Sequence, residues 1–407
     1  MRVAYVCTDP GVPAFGCKGA SVHVQAVLEA LVRRGDEVHL VTVAARGRPP
    51  SGPAGVRVHH LPLDATRDAA QRERRVRRAD AGAADALARL HSSLGIDLVY
   101  ERYSLWGGSA MEWAAAAGVA SMLEVNAPLV EEQASHRVLV DRRAAEDAAH
   151  RALSAAGAVL CVSDGVASWV RSRVGTTDRI HVLANGVDTR RVTPADRPVA
   201  PAAGTPFTIG FVGTLRPWHG VPTLADAFAA LVASDATYRL LVVGDGPLAG
   251  ELRTRVDAAG LSSHVELTGA VRPDRVPDLL RRMDLAVAPY PPIDDFYFSP
   301  LKVYEYLAAG LPVVASDVGD LSSVLDGGRL GVLTEPGDPA DLAQAVASLR
   351  ADPGRRDRMG RAGRRHAVED HDWSKVVETA LACAAVGAPT STRRASSELG
   401  ERDAAAC

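Results

Sequence analysis

Along the chain, short runs of β-branched and apolar residues alternate with longer Ala/Leu/Arg-rich stretches in which apolar positions recur every three or four residues. A period of two in short runs and of 3.6 in longer ones is the mark of repeated βα units around a parallel sheet. In the first half the runs predict strands at Val3–Cys7, Glu37–Val43, Leu98–Tyr100, Ser121–Val125, Ala158–Val162 and Ile180–Leu183. The helix after the first strand is well marked: Val22–Arg33 puts Val24, Val27, Leu28 and Leu31 on one face and ends near Gly35. From Val192 the periodicity dissolves into VTPADRPVAPAAGTP, a Pro- and Ala-rich linker. A second series follows at Thr208–Val212, Arg239–Val243, His264–Leu267, Leu285–Ala288, Pro312–Ala315 and Val332–Leu333.

Two α/β halves predict two facing Rossmann-like domains, with a ligand between the carboxyl ends of their strands. The boundaries are 1–190 for an N-terminal domain, 191–206 for the linker and 207–372 for a C-terminal domain. Residues 373–387 form a C-terminal helix free to pack back on the first domain. Residues 388–407, Ser/Thr/Arg/Glu/Ala-rich and without an apolar face, read as a disordered tail. The length of 407 residues suits two cores rather than one.

Composition narrows the classes. Apolar residues at 47% and charged residues at 23% describe a globular chain, and a net charge of −3 supplies no field to gather nucleic acid. Five scattered cysteines without a CxxC pair point to reduced thiols and away from a zinc site. The N-terminal apolar run is too short for a signal peptide, and no run approaches the roughly 20 residues that span a bilayer, so a cytoplasmic protein is expected. Arg outnumbers Lys so heavily that the lysines at 18, 302 and 375 stand out.

Four stretches carry candidate chemistry. Phe15-Gly-Cys-Lys-Gly-Ala-Ser-Val-His23 runs from a strand end into a helix; Gly19 at that helix start suits an anionic group or a plain tight turn equally. Gly210-Phe-Val-Gly-Thr-Leu-Arg-Pro-Trp-His-Gly220 follows the first strand of the second half, where Gly213 admits a ligand to the backbone and Arg216 and His219 offer donors to a diphosphate. Val243-Gly-Asp-Gly-Pro247 ends the next strand of that sheet and brings Gly244 alongside. Ser299-Pro-Leu-Lys-Val-Tyr-Glu-Tyr-Leu-Ala-Ala-Gly310 predicts a helix capped by Ser299, with Pro300 in its first turn and Leu301 beside free backbone N–H groups. Lys302 and Glu305 then lie one turn apart, either as an i,i+3 surface salt bridge or as a cleft-facing pair whose carboxylate accepts from two ribose hydroxyls.

Together these stretches resemble the retaining GT-B glycosyltransferases of family 4, over roughly residues 1–385 and most specifically from Phe211 to Ser316. The resemblance implies a nucleotide-diphosphate sugar, on UDP or GDP, as co-substrate. Two glutamates separated by seven residues contact the hexose and the ribose in that family; Glu305 matches the second, whereas Tyr297 stands at the first, as in a variant with Ser-Pro-x-Lys before the retained glutamate. The family's Arg and Lys on the diphosphate fall here on Thr214 and His219, with Arg216 as a substitute guanidinium. Its N-terminal His falls on Asn126 in Leu123-Glu-Val-Asn-Ala-Pro128, which can hold a sugar hydroxyl but cannot act as a base. Val271 joins the donor set.

The implied roles are catalytic for Asn126, His219 and Lys302, and donor-binding for Gly19, Gly213, Thr214, Arg216, Gly244, Val271, Ser299, Pro300, Leu301 and Glu305. Backbone N–H groups at Gly213, Gly19 and 299–301 are expected to neutralise the leaving phosphate. No metal and no further cofactor are implied; Asp294-Asp295 reads as a solvated loop. The implied reaction moves a hexose-type sugar to a hydroxyl of a soluble acceptor with retention of configuration, and natural-product and glycoconjugate biosynthesis are both open. The acceptor side is expected around Tyr100-Glu-Arg-Tyr-Ser104 and Glu131-Glu132. Val162-Ser163 and Asn185-Gly-Val-Asp188 also resemble family signatures, with a helix cap and an Asn-Gly turn as the plainer readings. The alternatives are a pseudo-glycosyltransferase joining a nucleotide-activated cyclitol to an amine, and a non-catalytic nucleotide-sugar-binding protein.

Overall fold

The computed structural model describes residues 1–46, 55–175, 178–196, 204–293, 296–297 and 299–387. The tail 388–407, part of the linker, Asp294-Asp295 and Phe298 lie outside the described residues. The α/β expectation holds. The first half forms β1 (Arg2–Cys7), β2 (Glu37–Thr42), β3 (Val56–His60), β4 (Leu98–Arg102), β5 (Ala120–Val125), β6 (Ala158–Cys161) and β7 (Ile180–Val182), paired in the order β3-β2-β1-β4-β5-β6-β7. The second half forms β8 (Phe207–Val212), β9 (Tyr238–Val243), β10 (Val265–Leu267), β11 (Leu285–Ala288), β12 (Val313–Ser316) and β13 (Gly331–Thr334), in the order β10-β9-β8-β11-β12-β13. Every pairing within the two sheets is parallel. In each sheet the order reverses between the first and fourth strands, which opens a crevice at their carboxyl ends.

The sequence reading missed β3. Val-Arg-Val-His-His is a short edge strand, largely solvent-facing, so no apolar run announces it. The first long helix begins at Gly19, three residues before its apolar periodicity starts. The helix Val221–Ser234 likewise starts ahead of its periodic stretch, with a proline in its first turn.

The helix Trp373–Gly387 crosses to the N-terminal half. Trp373, Val376, Val377, Ala380 and Ala384 share a core with Val3, Tyr5, Val27, Leu28 and Leu31. The indole of Trp373 stands edge-on to the His23 ring at 4.6 Å. Its other flank lies against Gly186, where an added Cβ would come within 2.6 Å of the indole. The Asn185-Gly-Val-Asp188 stretch is therefore the seat of this return: Val187 pairs with Asp372, and Thr189 Oγ1 donates to Asp372 Oδ2 at 2.5 Å.

Removing a buried indole leaves a void that neighbours fill only in part. Trp373→Ala is expected to cost the N-terminal unfolding transition about 3–5 kcal/mol. Urea titration followed by tryptophan fluorescence and far-UV circular dichroism checks it.

Candidate active site

The site is built on the helix Leu301–Ala308, whose Val303, Tyr304, Tyr306 and Leu307 are buried. Tyr306 fastens it to the sheet: its hydroxyl accepts from the Val212 N–H at 2.8 Å at the end of β8. The start differs from the sequence reading. Pro300 occupies the N-cap position rather than the first turn, and no side chain caps the helix. The Ser299 Oγ is buried beside the Tyr304 side chain and bonds none of the helix's first N–H groups. The Leu301 N–H is turned back onto the Ser299 carbonyl at 2.9 Å. That N–H is spent and not free for phosphate.

Lys302 and Glu305 do not form the surface ion pair. Lys302 is 9% exposed, and its Nζ has no hydrogen-bond partner among the described residues. The amine sits 4.5 Å from the Phe211 ring centre and 5.2 Å from that of Tyr290. Ring faces attract a cation but do not replace water or a counter-ion. Burial accordingly pushes the Lys302 amine down to about 7, with Glu305 opposing. Burial also pushes the Glu305 carboxyl up to about 7, against the pull of Arg191 and Lys302.

Two glycine turns stand back to back at the strand ends, and the first faces the amine. Gly213 has φ 143°, and an added Cβ would stand 3.2 Å from Lys302 Nζ. Gly244 has φ 140°, and an added Cβ there would overlap the Gly213 carbonyl. Both positions demand glycine. Their N–H groups, however, are already bonded: Gly213 to the Val243 carbonyl at 2.9 Å, and Gly244 to the Gly269 carbonyl at 3.1 Å. What the turns supply is room beside the amine, which corrects the reading of Gly213 as an N–H donor to phosphate. Val271 follows the same bridge two residues on and is partly buried against the core.

His219 turns its Nδ1 to the Thr214 carbonyl. Burial, with Lys302 and Arg216 nearby, pushes the ring down to about 4. In the neutral ring Nδ1 donates, and Nε2 is therefore an acceptor. His219 becomes a phosphate donor only if an arriving anion brings a proton with it. Thr214 and Arg216 are exposed, and the guanidinium lies 5.5 Å from the Trp218 ring centre.

The N-terminal half closes on this helix. Gly19 faces it, since a Cβ on Gly19 would be 3.8 Å from Leu301 Cδ1. Ser163 caps the helix Asp164–Val174 and also donates from Oγ to the Tyr297 carbonyl at 2.8 Å. The plainer reading of that serine as a helix cap holds, with a contact to the other half besides. The Asp164 N–H donates to Asp320 Oδ2 at 3.1 Å in the same contact. Asn126, partly exposed, donates from Nδ2 to Glu124 Oε1 at 2.5 Å. Sequence reasoning missed Phe211, Tyr290 and Glu124; the first two read as ordinary core aromatics, and only the charge inside Leu-Glu-Val marked the third.

Residues 206–352 match the family model described as Glycosyl transferases group 1, and residues 18–191 match Glycosyltransferase Family 4. Among curated relatives, a D-inositol 3-phosphate glycosyltransferase of Rhodococcus jostii is 33% identical over 225 residues, 52% of this chain and 48% of the relative. A 2-deoxystreptamine glucosyltransferase of Streptomyces kanamyceticus is 28% identical over 240 residues, 57% of this chain and 61% of the relative. The chain spans about half the length of the first of these relatives. Among solved structures, Anabaena HepE in complex with UDP and glucose superposes with a TM-score of 0.67 at 18% identity, covering 95% of this chain and 99% of that one. A sucrose-phosphate synthase from Thermosynechococcus elongatus gives 0.67 at 18%, covering 93% and 96%. These two neighbours show the GT-B fold.

A buried amine without a partner is a cost that the ligand-free fold carries. Lys302→Met is expected to stabilise the free protein by about 1–3 kcal/mol at pH 7. The folded-state value lies below the unfolded one, so the penalty is full at pH 7 and below and fades as pH rises towards the ordinary lysine value. Melting curves of both proteins at pH 7 and pH 9.5 check this; the gain is larger at pH 7.

Proposed function

We propose that this chain, which its two matched halves place among the glycosyltransferases, transfers a hexose-type sugar from a nucleotide-diphosphate donor to an acceptor hydroxyl with retention of configuration. The observation that carries the reading is the Lys302 amine, buried without a counter-ion beside two turns that admit no side chain. A diphosphate placed there supplies the missing charge. Glu305 accepts from the two ribose hydroxyls. The Anabaena neighbour holds UDP and glucose, which makes UDP the first base to try, with GDP the alternative.

In this scheme the anomeric carbon is attacked on the face that the nucleotide leaves. The departing diphosphate takes the acceptor proton, and the protein contributes positioning and charge stabilisation. Lys302 neutralises the bound diphosphate, while His219 stays neutral on donor binding and takes up a proton only as charge develops on the leaving group. Thr214, Arg216 and Val271 line the approach, Gly19 and Leu301 close it, and Asn126 holds a sugar hydroxyl. Two relatives are named for D-inositol 3-phosphate and 2-deoxystreptamine, which favours a polyhydroxylated, ring-shaped acceptor held by the N-terminal half.

A thermal-shift panel of nucleotides and nucleotide sugars is expected to single out a diphosphate nucleotide, since a ligand of the native state raises its stability. No shift with any member overturns the reading. Glu305→Ala is expected to weaken nucleotide-sugar binding by about 1.5–3 kcal/mol per ribose hydrogen bond lost, measured by calorimetry.

Affinity also follows pH. Binding selects the ammonium of Lys302 and the carboxylate of Glu305, and in the free protein both groups titrate at about 7. Below that value Glu305 must release a proton on binding, and above it Lys302 must take one up. Affinity is therefore greatest near pH 7 and falls by up to about tenfold per pH unit on either side. Glu305→Gln flattens the acid limb and Lys302→Met the alkaline one. Turnover is expected to survive EDTA; a large loss restored by magnesium would overturn the metal-free scheme.

A further inference from the structure

Glu124 lies at the carboxyl end of β5, 5% exposed, and its carboxylate gathers four groups. The Tyr100 hydroxyl donates to Oε2. On Oε1 converge Arg102 Nη1 at 3.1 Å, Asn126 Nδ2 at 2.5 Å and His23 Nε2 at 2.8 Å, the last as an ion-pair contact off the N–H line. Burial alone would raise this carboxyl; His23 and Arg102 outweigh it and hold the group well below the usual carboxylate range. Glu124 is therefore ionised and can only accept.

An asparagine amide has a donor face and an acceptor face, and a free one presents either. Against a carboxylate only the NH2 can turn inward, because the carbonyl there would set oxygen against oxygen. Asn126 Oδ1 is thus left on the side away from Glu124, at a residue partly open to solvent. We propose that Glu124 is a positioning residue that fixes Asn126 so that it offers the cleft a hydrogen-bond acceptor, selecting a hydroxyl proton of the bound sugar or acceptor. The inference rests on the sugar-transfer reading for its functional half, and on the contact alone for its structural half.

The test exchanges the two chemistries. Asn126→Asp sets two carboxylates against each other. Glu124→Gln removes the constraint on the amide. The double variant restores one amide and one carboxylate in contact, with an oxygen left to face the cleft. Two readouts are taken on the full chain. The first is the melting temperature without ligand: the deficit of Asn126→Asp relative to wild type is expected to be larger at pH 8 than at pH 5.5, where the pair can share a proton, and to shrink in the double variant. A deficit that is the same at both pH values overturns the contact, and this arm stands even if Glu124→Gln fails to fold.

The second readout is hydrolysis of the nucleotide sugar selected by the panel, UDP-glucose first, followed as nucleotide release. Each single variant is expected to lose at least about tenfold in kcat at near-constant donor KM. The double variant is expected to lose less than the product of the two. The ratio of Asn126→Asp to wild-type turnover should rise as pH falls. A double variant that loses the full product, or a ratio flat in pH, overturns the positioning role. Calorimetry with the free nucleoside diphosphate, which lacks the sugar, separates the two readings: its binding stays within about twofold of wild type in all three variants, whereas a wild type that binds no nucleotide overturns the transferase reading and the role of Glu124 with it.

Discussion

An amine kept out of water, with no hydrogen-bond partner among the described residues, is the constraint around which the C-terminal half is arranged. Lys302 can occupy that position only because its helix is held on several sides, by Tyr306 bonded to the end of β8 and by buried neighbours on both flanks. The aromatic rings of Phe211 and Tyr290 lower the cost of the amine without cancelling it. Gly213 and Gly244 keep the adjoining space clear, and their backbones are clamped to the ends of neighbouring strands, Gly213 to Val243 and Gly244 to Gly269, so that this space does not collapse. The fold thus stores an electrostatic deficit at the crevice where β8 and β11 diverge, in the way that binding sites are commonly less stable than the scaffold around them.

Much of this was legible in the chain. Twelve of the strands announce themselves as apolar runs, and the scarcity of lysine draws the eye to residue 302. The edge strand β3 was hidden because a strand that faces solvent needs no apolar run. Side-chain direction was hidden for a different reason. Three residues of separation make Lys302 and Glu305 neighbours on a helix, but only tertiary packing decides that one amine enters an aromatic pocket instead of meeting the carboxylate. The backbone bookkeeping at Gly213 was likewise beyond the sequence, since whether an N–H is free depends on which strand end lies opposite.

The contact between halves shows how a lost side chain can leave a useful backbone. Tyr297 stands where the resemblance places a hexose-contacting glutamate, and its carbonyl takes the Ser163 hydroxyl from across the crevice. The same serine starts the helix Asp164–Val174, so one hydroxyl both caps a helix and joins the halves. On the other wall, Glu124 ties Asn126 to His23, and His23 meets Trp373. That wall of the crevice is thereby continuous with the helix that returns from beyond residue 372.

That return bears on how the protein comes into being. The face of the helix Gly19–Arg33 that Val27, Leu28 and Leu31 present is closed by residues beyond 372, some 350 positions downstream. While the chain is being synthesised, the first half has all of its strands but not its cover. Its apolar flank stays open until the second half has been made and the last helix swings back. The two halves are separate as sheets yet joined as a folding problem, and the first is finished only when the second is complete.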